Sequence, residues 1–405
     1  MSRYHVVVIG GGPVGCVAAM RAASVGARVL LIERRESARE PNPCTGLVSP
    51  RTLPALGASE SSVLRHIHSV ESRAPNGHRL ALRATTEKAV VLDRSRLEEE
   101  LHERAGEAGA AIRLGCNAVD LRPGRVTVRF HGGREVITTD MIVVAAGLNG
   151  GLASTASLSI PSRVFVATQA VVEEEPSFPD EVRVHFGRDV APLFFGWSVP
   201  AEPGRTRVGL AVPPELDPAP FLERLLTQHY PGISVRSRTF GRIPIGLTAN
   251  PIGDGTLLVG DAAGHVKPLS GGGLYTGAIC GRIAGRIAAQ AALRGRTRRE
   301  DLADYPLACD RAIGGEVRFG LAARDLLESL SDEGIDDVFA ALDHPDLLRF
   351  LGMIGDIDKL RCLPRHVAVE RTLWKRLLPL LALLDKHIAA RTCGNPVATS
   401  TADSL

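Results

Sequence analysis

The sequence predicts an α/β fold, in which a parallel nucleotide-binding sheet carries a second, antiparallel domain and a helical C-terminal region. Three observations carry that prediction. VVVIGGGPVG at Val6–Gly15 is a buried-strand run that breaks into glycines and then into a helix. LLVGDAAGHVKPLSGGG at Leu257–Gly273 places a second strand-and-glycine segment late in the chain. Between them, SRVFVATQAVV, DEVRVHFG and RTRVGLAV alternate or run β-branched, separated by Pro, Gly and acidic turns, as the strands of a mostly antiparallel sheet do.

The opening strand, His5–Ile9, is β-branched without interruption by polar residues, which marks a strand buried on both faces of a parallel sheet. Gly10, Gly12 and Gly15 follow in the G-x-G-x-x-G spacing. Gly10 makes the tight turn, Gly12 lets backbone approach a phosphate, and Gly15 lets the helix pack on the strand. Pro13 suits a first helical turn, and the small-residue helix VGCVAAMRAAS ends at Gly26. The free N–H groups and dipole of that helix start form an anion site. Ala27–Ile32 is the second strand, and Glu33 closes it where an acid accepts ribose hydroxyls. A carboxylate there repels a 2′-phosphate, so the adenine half belongs to FAD or NAD. The second segment decides for FAD: it has the form that holds the ribityl and ring end of a flavin.

A Pro-rich loop, RRESAREPNPCTGLVSPRTLPALG, comes next. Residues 63–92 hold short alternating runs that read as strands outside the nucleotide sheet. DRSRLEEELHERA at Asp93–Ala105 is helical, with Leu97 and Leu101 on its buried face. Hairpin strands RVTVRF and REVITT follow, then a separate parallel strand in DMIVVAAG at Asp140–Gly147. DPAPFLERLLTQHY is a helix with an Asp N-cap, TLLVG returns the chain to the nucleotide sheet, and a helix spans Gly272–Ala292. The expected divisions are an FAD-binding part at 1–157, with second-domain strands near 63–92, an antiparallel substrate domain at 158–240, and a return to the FAD domain at 241–296. A helical region at 297–395 and a disordered tail at 396–405 complete the chain.

Composition narrows the function classes. Forty-eight basic residues against 45 acidic ones leave a formal charge of +3, which does not point to a nucleic-acid partner. Seven cysteines lie without CxxC or zinc-like spacing, so reduced thiols in a cytoplasmic protein and no metal site are expected. The N-terminus enters a strand directly, leaving no room for a signal peptide. No apolar run of about 20 residues is long enough to span a bilayer.

Asp261 follows the buried strand TLLVG, where a short carboxylate can accept bonds from ribityl hydroxyls; a simple helix N-cap is the bland alternative. Gly271–Gly273 open a helix whose N–H groups favour negative charge on a flavin edge. His265 and Lys267 lie between these elements, either as donors to flavin or substrate or as solvated loop residues. Cys44, in PNPCTGLVSP, sits in a loop that runs along the pyrophosphate toward the ring; the alternative is a small buried hydrophobe. Arg94 is either a phosphate or flavin contact or a surface arginine.

The chain resembles the geranylgeranyl reductase family of flavoproteins, a branch of the para-hydroxybenzoate hydroxylase-like fold. The resemblance rests on GGGPVG with Glu33, CTGLVSPRTL, DRSRLEEEL, PLFFGWSVP, GDAAGHVKPLSGGGL and GDIDKL, and it covers most of the chain. It implies FAD contacts at Gly10, Gly12, Val14, Gly15, Glu33, Cys44, Thr45, Arg94, Ala118, Asp261, Gly273 and Leu274. It also implies an isoprenoid site lined by Phe195, Trp197 and Pro200, where this chain has Phe for the family's usual Tyr and Val199 for its usual Phe.

The expected activity is FAD-dependent reduction of C=C bonds in a polyprenyl chain of a lipid, quinone or pigment precursor, with Cys44 supplying or relaying a proton. The expected partners are an isoprenoid lipid, a membrane surface and an external electron donor (NADPH, ferredoxin or a deazaflavin). Thr372–Ala390, TLWKRLLPLLALLDKHIAA, is either a core helix or one lying at a membrane interface. An FAD-dependent aromatic hydroxylase of the same fold is the runner-up, followed by a halogenase. The turn after VVAAG reads LNGGLA, without the Asp-Gly and downstream Arg expected of the hydroxylases.

Overall fold

The computed structural model describes residues 3–362 apart from 41, 149 and 156. The Thr372–Ala390 segment and the 396–405 tail therefore lie outside the described residues. The first strand, Tyr4–Ile9, pairs in parallel with Val29–Ile32 on one side and with Gly133–Val144 on the other. Val6, Val7 and Val8 are fully buried, as expected for a central strand covered on both faces. The sheet runs in the order Ile252–Gly253, Thr256–Leu258, Gly133–Val144, Tyr4–Ile9, Val29–Ile32, Ala111–Arg113. One face is covered by the helices Pro13–Ser24 and Leu274–Arg294, whose alanines Ala18, Ala22, Ala284 and Ala288 are fully buried in one apolar cluster. Small side chains on both helices permit that close approach.

REVITT and DMIVV are one strand, not the two expected. Gly133–Val144 runs antiparallel to Arg125–Phe130 in its first half and parallel to Tyr4–Ile9 in its second. Nothing between Thr138 and Asp140 breaks it, because no Gly or Pro intervenes. The long helix begins at Leu274 and ends at Arg294, two residues later at each end than expected.

The second sheet has seven strands in the order Val235–Pro244, Val164–Val172, Thr206–Val212, Gly196–Pro200, Glu181–His185, Ser69–Arg73, Arg79–Arg83. All neighbours are antiparallel except Glu181–His185 with Ser69–Arg73. The helix Pro218–His229 buries Leu222, Leu225 and Leu226 against one face, and its Asp217 cap accepts from the Ala219 amide. Of the strands near 63–92, the outer two behave differently from the inner two. Val63–Ile67 and Ala89–Leu92 join Leu47–Val48 in a separate three-stranded sheet, whereas Ser69–Arg73 and Arg79–Arg83 extend the second sheet. Asp93 caps the helix Arg94–Glu107 by accepting from Ser95 and Arg96 amides, with Leu97 and Leu101 fully buried. Helices at Asp304–Cys309, Gly315–Ser329, Asp332–Leu342 and Pro345–Ile354 complete the described chain.

Candidate functional site

The two glycine segments meet at the C-terminal ends of the parallel strands, where such sheets bind ligands. At the first segment the chain leaves Ile9 and enters the helix at Pro13. Gly12 is its N-cap, no side chain caps it, and no acidic residue stands in the first turn. The first-turn amides, Val14 and Gly15 among them, are thus free to meet an anion. A side chain on Gly15 would stand 1.9 Å from the Gly10 carbonyl oxygen, whereas the space beside Gly12 is open. That open cradle fits a pyrophosphate.

Glu33 is only 6% exposed. One carboxylate oxygen accepts from the Gly11 amide at 2.6 Å, and the other from the Arg35 amide at 2.9 Å and Arg35 Nε at 3.2 Å. Burial is the largest influence and raises its pKa, yet the Arg35 amide and guanidinium and the Gly11 amide together hold the carboxyl below its ordinary value. The oxygen bound to Gly11 keeps a lone pair for a ribose hydroxyl. Ala118 is buried on the strand that begins just after Cys116, whose amide donates to the Glu33 carbonyl.

Toward the expected ring end, a buried acid organises the Cys44 loop. Glu98, 1% exposed, accepts from Arg35 Nη2 at 2.6 Å, Arg94 Nη2 at 2.5 Å and Asn42 Nδ2 at 2.9 Å. Asn42 Oδ1 accepts from the Cys44 amide at 3.0 Å, and the Gly46 amide donates to Cys44 Sγ at 3.4 Å. The Arg94 guanidinium stands beside the Cys44 thiol. The surface alternative for Arg94 is therefore overturned: its side chain is 10% exposed. Burial works against its charge, but Cys44 and Glu98 hold its pKa above the ordinary guanidinium value. Its Nε is buried without a hydrogen-bond partner, a donor that a cofactor oxygen would satisfy.

Asp261 lies in the turn Gly260–Ala263, with one carboxylate oxygen 3.0 Å from where a side chain on Gly273 would begin. Burial raises its pKa, against the pull of Arg94 and His265. Gly273 caps the Leu274 helix without a side-chain bond, and no acid stands in the first turn. This N-terminus faces its own segment's Asp261 with free amides.

His265 is neither a flavin donor nor a solvated residue. It is 3% exposed, and its Nδ1 accepts from the Gly260 amide at 3.2 Å, closing the loop on itself. With Nδ1 accepting, a neutral ring carries its proton on Nε2, and Cys309 is a near neighbour. His265, Cys280 and Cys309 hold their ligand-type atoms within 4.8 Å of one another. A metal would need Nε2 bare, whereas the Gly260 amide on Nδ1 favours the tautomer with the proton on Nε2. The two cysteines lie 29 residues apart in sequence, a spacing with no motif. Lys267 is not solvated either: Nζ donates to Asp358 Oδ1 at 2.7 Å and to the Ile357 carbonyl at 3.2 Å, and Asp358 also pairs with Ser49. GDIDKL is thereby tied to the second glycine segment.

The aromatic segment stands across from the Cys44 loop. Phe194 stacks on Phe195 at 4.5 Å between ring centroids, and Phe195 meets the Trp197 edge at 6.2 Å. Trp197 is the second residue of the strand Gly196–Pro200, which ends at buried Pro200. It lies flat over Gly209, where any side chain would stand 2.7 Å from the indole. Gln169, 5% exposed, was not foreseen. Its Oε1 accepts from Trp197 Nε1 at 3.1 Å and from Thr45 Oγ1 at 2.8 Å. Arg207 supports the same loop by donating to the Thr45 carbonyl at 2.7 Å and the Leu92 carbonyl at 3.1 Å. A buried Gln or Arg inside a β-branched run was the available signal.

The pyridine nucleotide-disulphide oxidoreductase family matches residues 4–163. The chain is 32% identical to digeranylgeranylglycerophospholipid reductase 2 of Methanothermobacter thermautotrophicus over 386 residues, covering 92% of this chain and 99% of that one. It is 32% identical to the Methanopyrus kandleri protein of the same name over 371 residues, covering 86% and 93%. A geranylgeranyl bacteriochlorophyll reductase-like structure from Thermoplasma acidophilum superposes with a TM-score of 0.81 at 20% identity, over 95% of this chain and 100% of that one. A Pseudomonas putida p-nitrophenol 4-monooxygenase shares the fold with a TM-score of 0.69 at 16% identity, over 87% and 97%. The reductases match in sequence along nearly the whole chain, while the monooxygenase matches in fold alone, and the cradle, acid and helix start fit FAD. The chain belongs to the geranylgeranyl reductase family of FAD-dependent oxidoreductases.

Proposed function

We propose that the protein reduces C=C bonds in the polyprenyl chain of a lipid, quinone or pigment precursor, and that Cys44 donates the proton. One observation carries this reading: Gln169 binds Thr45 and Trp197 on a single oxygen, so the thiol loop and the aromatic wall face one space. Bound and reduced, FAD would supply a hydride to one alkene carbon. An unactivated alkene also needs a proton at the other carbon, and the Cys44 thiol is the acid on that side. The Arg94 guanidinium, beside the thiol, balances the thiolate's charge until solvent returns the proton. Phe195, Trp197 and Pro200 present an apolar wall to the prenyl chain. The FAD contacts are the twelve residues that the family resemblance implies, from Gly10 to Leu274.

The electron donor is external: NADPH, ferredoxin or a deazaflavin. The protein works in the cytoplasm against a membrane surface, since its substrate is a lipid; among the described residues no helix is long and apolar enough to cross one. The test is anaerobic incubation of reduced protein with a geranylgeranyl lipid, followed by mass spectrometry. Products heavier by two hydrogens per bond are expected. An unchanged lipid mass without oxygen, with hydroxylation or halogenation in a parallel aerobic incubation, would overturn the reading.

A further inference from the structure

Arg324 stands in the helix Gly315–Ser329, far along the chain from either glycine segment, yet it is 0% exposed. Its guanidinium donates from Nε to the Pro268 carbonyl at 3.0 Å, from Nη2 to the Leu269 carbonyl at 2.5 Å, and from Nη1 to the Leu193 carbonyl at 2.8 Å. The first two carbonyls belong to the segment between Asp261 and the helix at Leu274. The third directly precedes Phe194 and Phe195. Leu193 has φ +60°, a conformation that a leucine seldom adopts without support. The guanidinium also lies over the Phe194 ring at 4.1 Å and the Phe165 ring at 5.4 Å.

These contacts do more than fill space. The nearest carboxylate, Glu328, is 4.0 Å away and is also paired with Arg163 at 2.5 Å. The charge is therefore met chiefly by carbonyls and aromatic faces. Burial lowers its pKa to about 10, which leaves it charged at neutral pH. An apolar side chain of the same volume would cost less to bury. What it could not do is join two segments through one rigid fork of donors.

We propose that Arg324 is a positioning residue that locks the aromatic wall at Leu193–Trp197 to the flavin segment at Pro268–Leu269, and thereby sets which prenyl chains are accepted. The link runs from Arg324 to Phe194, from Phe194 to Phe195 by stacking, and from Phe195 to Trp197 edge-on. The selectivity part of this inference rests on the proposed function; the lock itself does not.

The test uses a Trp374→Phe background, which leaves Trp197 as the sole tryptophan. Arg324→Lys keeps the charge, but one ammonium cannot reach three carbonyls on two segments. It is expected to raise the FAD Kd about tenfold and shift Trp197 emission. It should also change the geranylgeranyl-to-geranyl preference in kcat/KM about tenfold, mainly through KM. Phe194→Leu keeps the hydrogen bonds and should shift emission and chain preference with FAD Kd unchanged. An Arg324→Lys protein that melts earlier but keeps wild-type FAD affinity, emission and preference overturns the proposal. Should Arg324→Lys not fold, Phe194→Leu decides, and unchanged emission and preference overturn it. A wild-type protein that reduces no prenyl chain sinks the proposed function, while altered FAD affinity and emission in Arg324→Lys still uphold the lock.

Discussion

The pyrophosphate end and the alkene end of this site are built in different ways. The first is assembled chiefly from one stretch of chain: Gly10 to Arg35 supply the turn, the helix start and the fixed carboxylate, with His102 on the Gly11 carbonyl and Cys116 on the Glu33 carbonyl coming from elsewhere. The second draws Cys44, Glu98, Gln169, Trp197, Arg207 and Asp261 from separate segments. A phosphate needs backbone amides in one conformation, which a local sequence can dictate. A proton donor facing an apolar channel needs side chains held against one another, and several domains have to meet to do that. Damage should therefore spread differently in the two regions.

The largest effect is expected at the local end. Gly15→Val forces a side chain into the Gly10 carbonyl, 1.9 Å away, and should yield protein without FAD or no folded protein. Absorbance of the purified protein checks this, and a yellow, stable Gly15→Val protein would break the contrast. Next is Cys44→Ala, expected to keep FAD and lose about a hundredfold or more in alkene reduction, the range for removing a general acid. Stopped-flow reoxidation of reduced flavin by prenyl substrate measures it. Wild-type rates in Cys44→Ala would move the proton source elsewhere.

A smaller loss is expected from Gln169→Leu, which strands the Thr45 hydroxyl and the Trp197 indole N–H. Each unpaired group costs about 1–3 kcal/mol, so a lower melting temperature should accompany a reduced kcat/KM. Gln169→Glu, which keeps an acceptor, should recover part of the rate. Rescue of neither would show that the two ends of the bridge act independently.

The smallest effect sharpens the comparison through pH. His185, 3% exposed on the second sheet, is held neutral: burial, then His229, Arg73 and Arg183, lower its pKa from 6.5 to about 3. An unfolded chain binds a proton there below pH 6.5 and the folded chain does not, so stability is lost as pH falls from 6.5 toward 3. Glu33 has its pKa lowered from 4.5, so its contribution is intact above pH 4.5 and is lost as pH falls through its folded pKa. The second sheet should therefore weaken first on acidification. Thermal melts of His185→Phe should lose the upper part of the acid limb, and Glu33→Gln only the lower. Identical limbs in both variants would contradict the assignment.

The nucleotide half was legible because each of its signals is short-range. Strand, glycine spacing and Glu33 lie within 30 residues of one another, and Asp93 and Asp217 announce their helices by capping chemistry. REVITT and DMIVV were read apart because pairing partners change along one uninterrupted strand, and periodicity does not register a change of partner. His265 and Lys267 were left between flavin or substrate donors and solvated loop residues, because a polar side chain in a Gly-rich stretch is compatible with either. Their burial depends on Gly260, Cys309 and Asp358, and the last two come from regions that sequence reading treats as unrelated.

By itself, the sequence determined the parallel sheet, the phosphate cradle, the FAD-or-NAD rather than NADP character of the adenine end, and the candidate residues Cys44 and Asp261, while Trp197 entered through the family resemblance. These follow from backbone conformation and charge within a few turns of chain. Only the tertiary structure decided that Arg94 is a buried partner of Cys44, that Gln169 joins thiol loop to aromatic wall, and that Arg324 reaches both glycine-segment and wall carbonyls. The physical reason is desolvation. A polar side chain looks the same in sequence whether water or protein satisfies it, and it gains a fixed role only when folding removes the water and leaves one set of partners within reach.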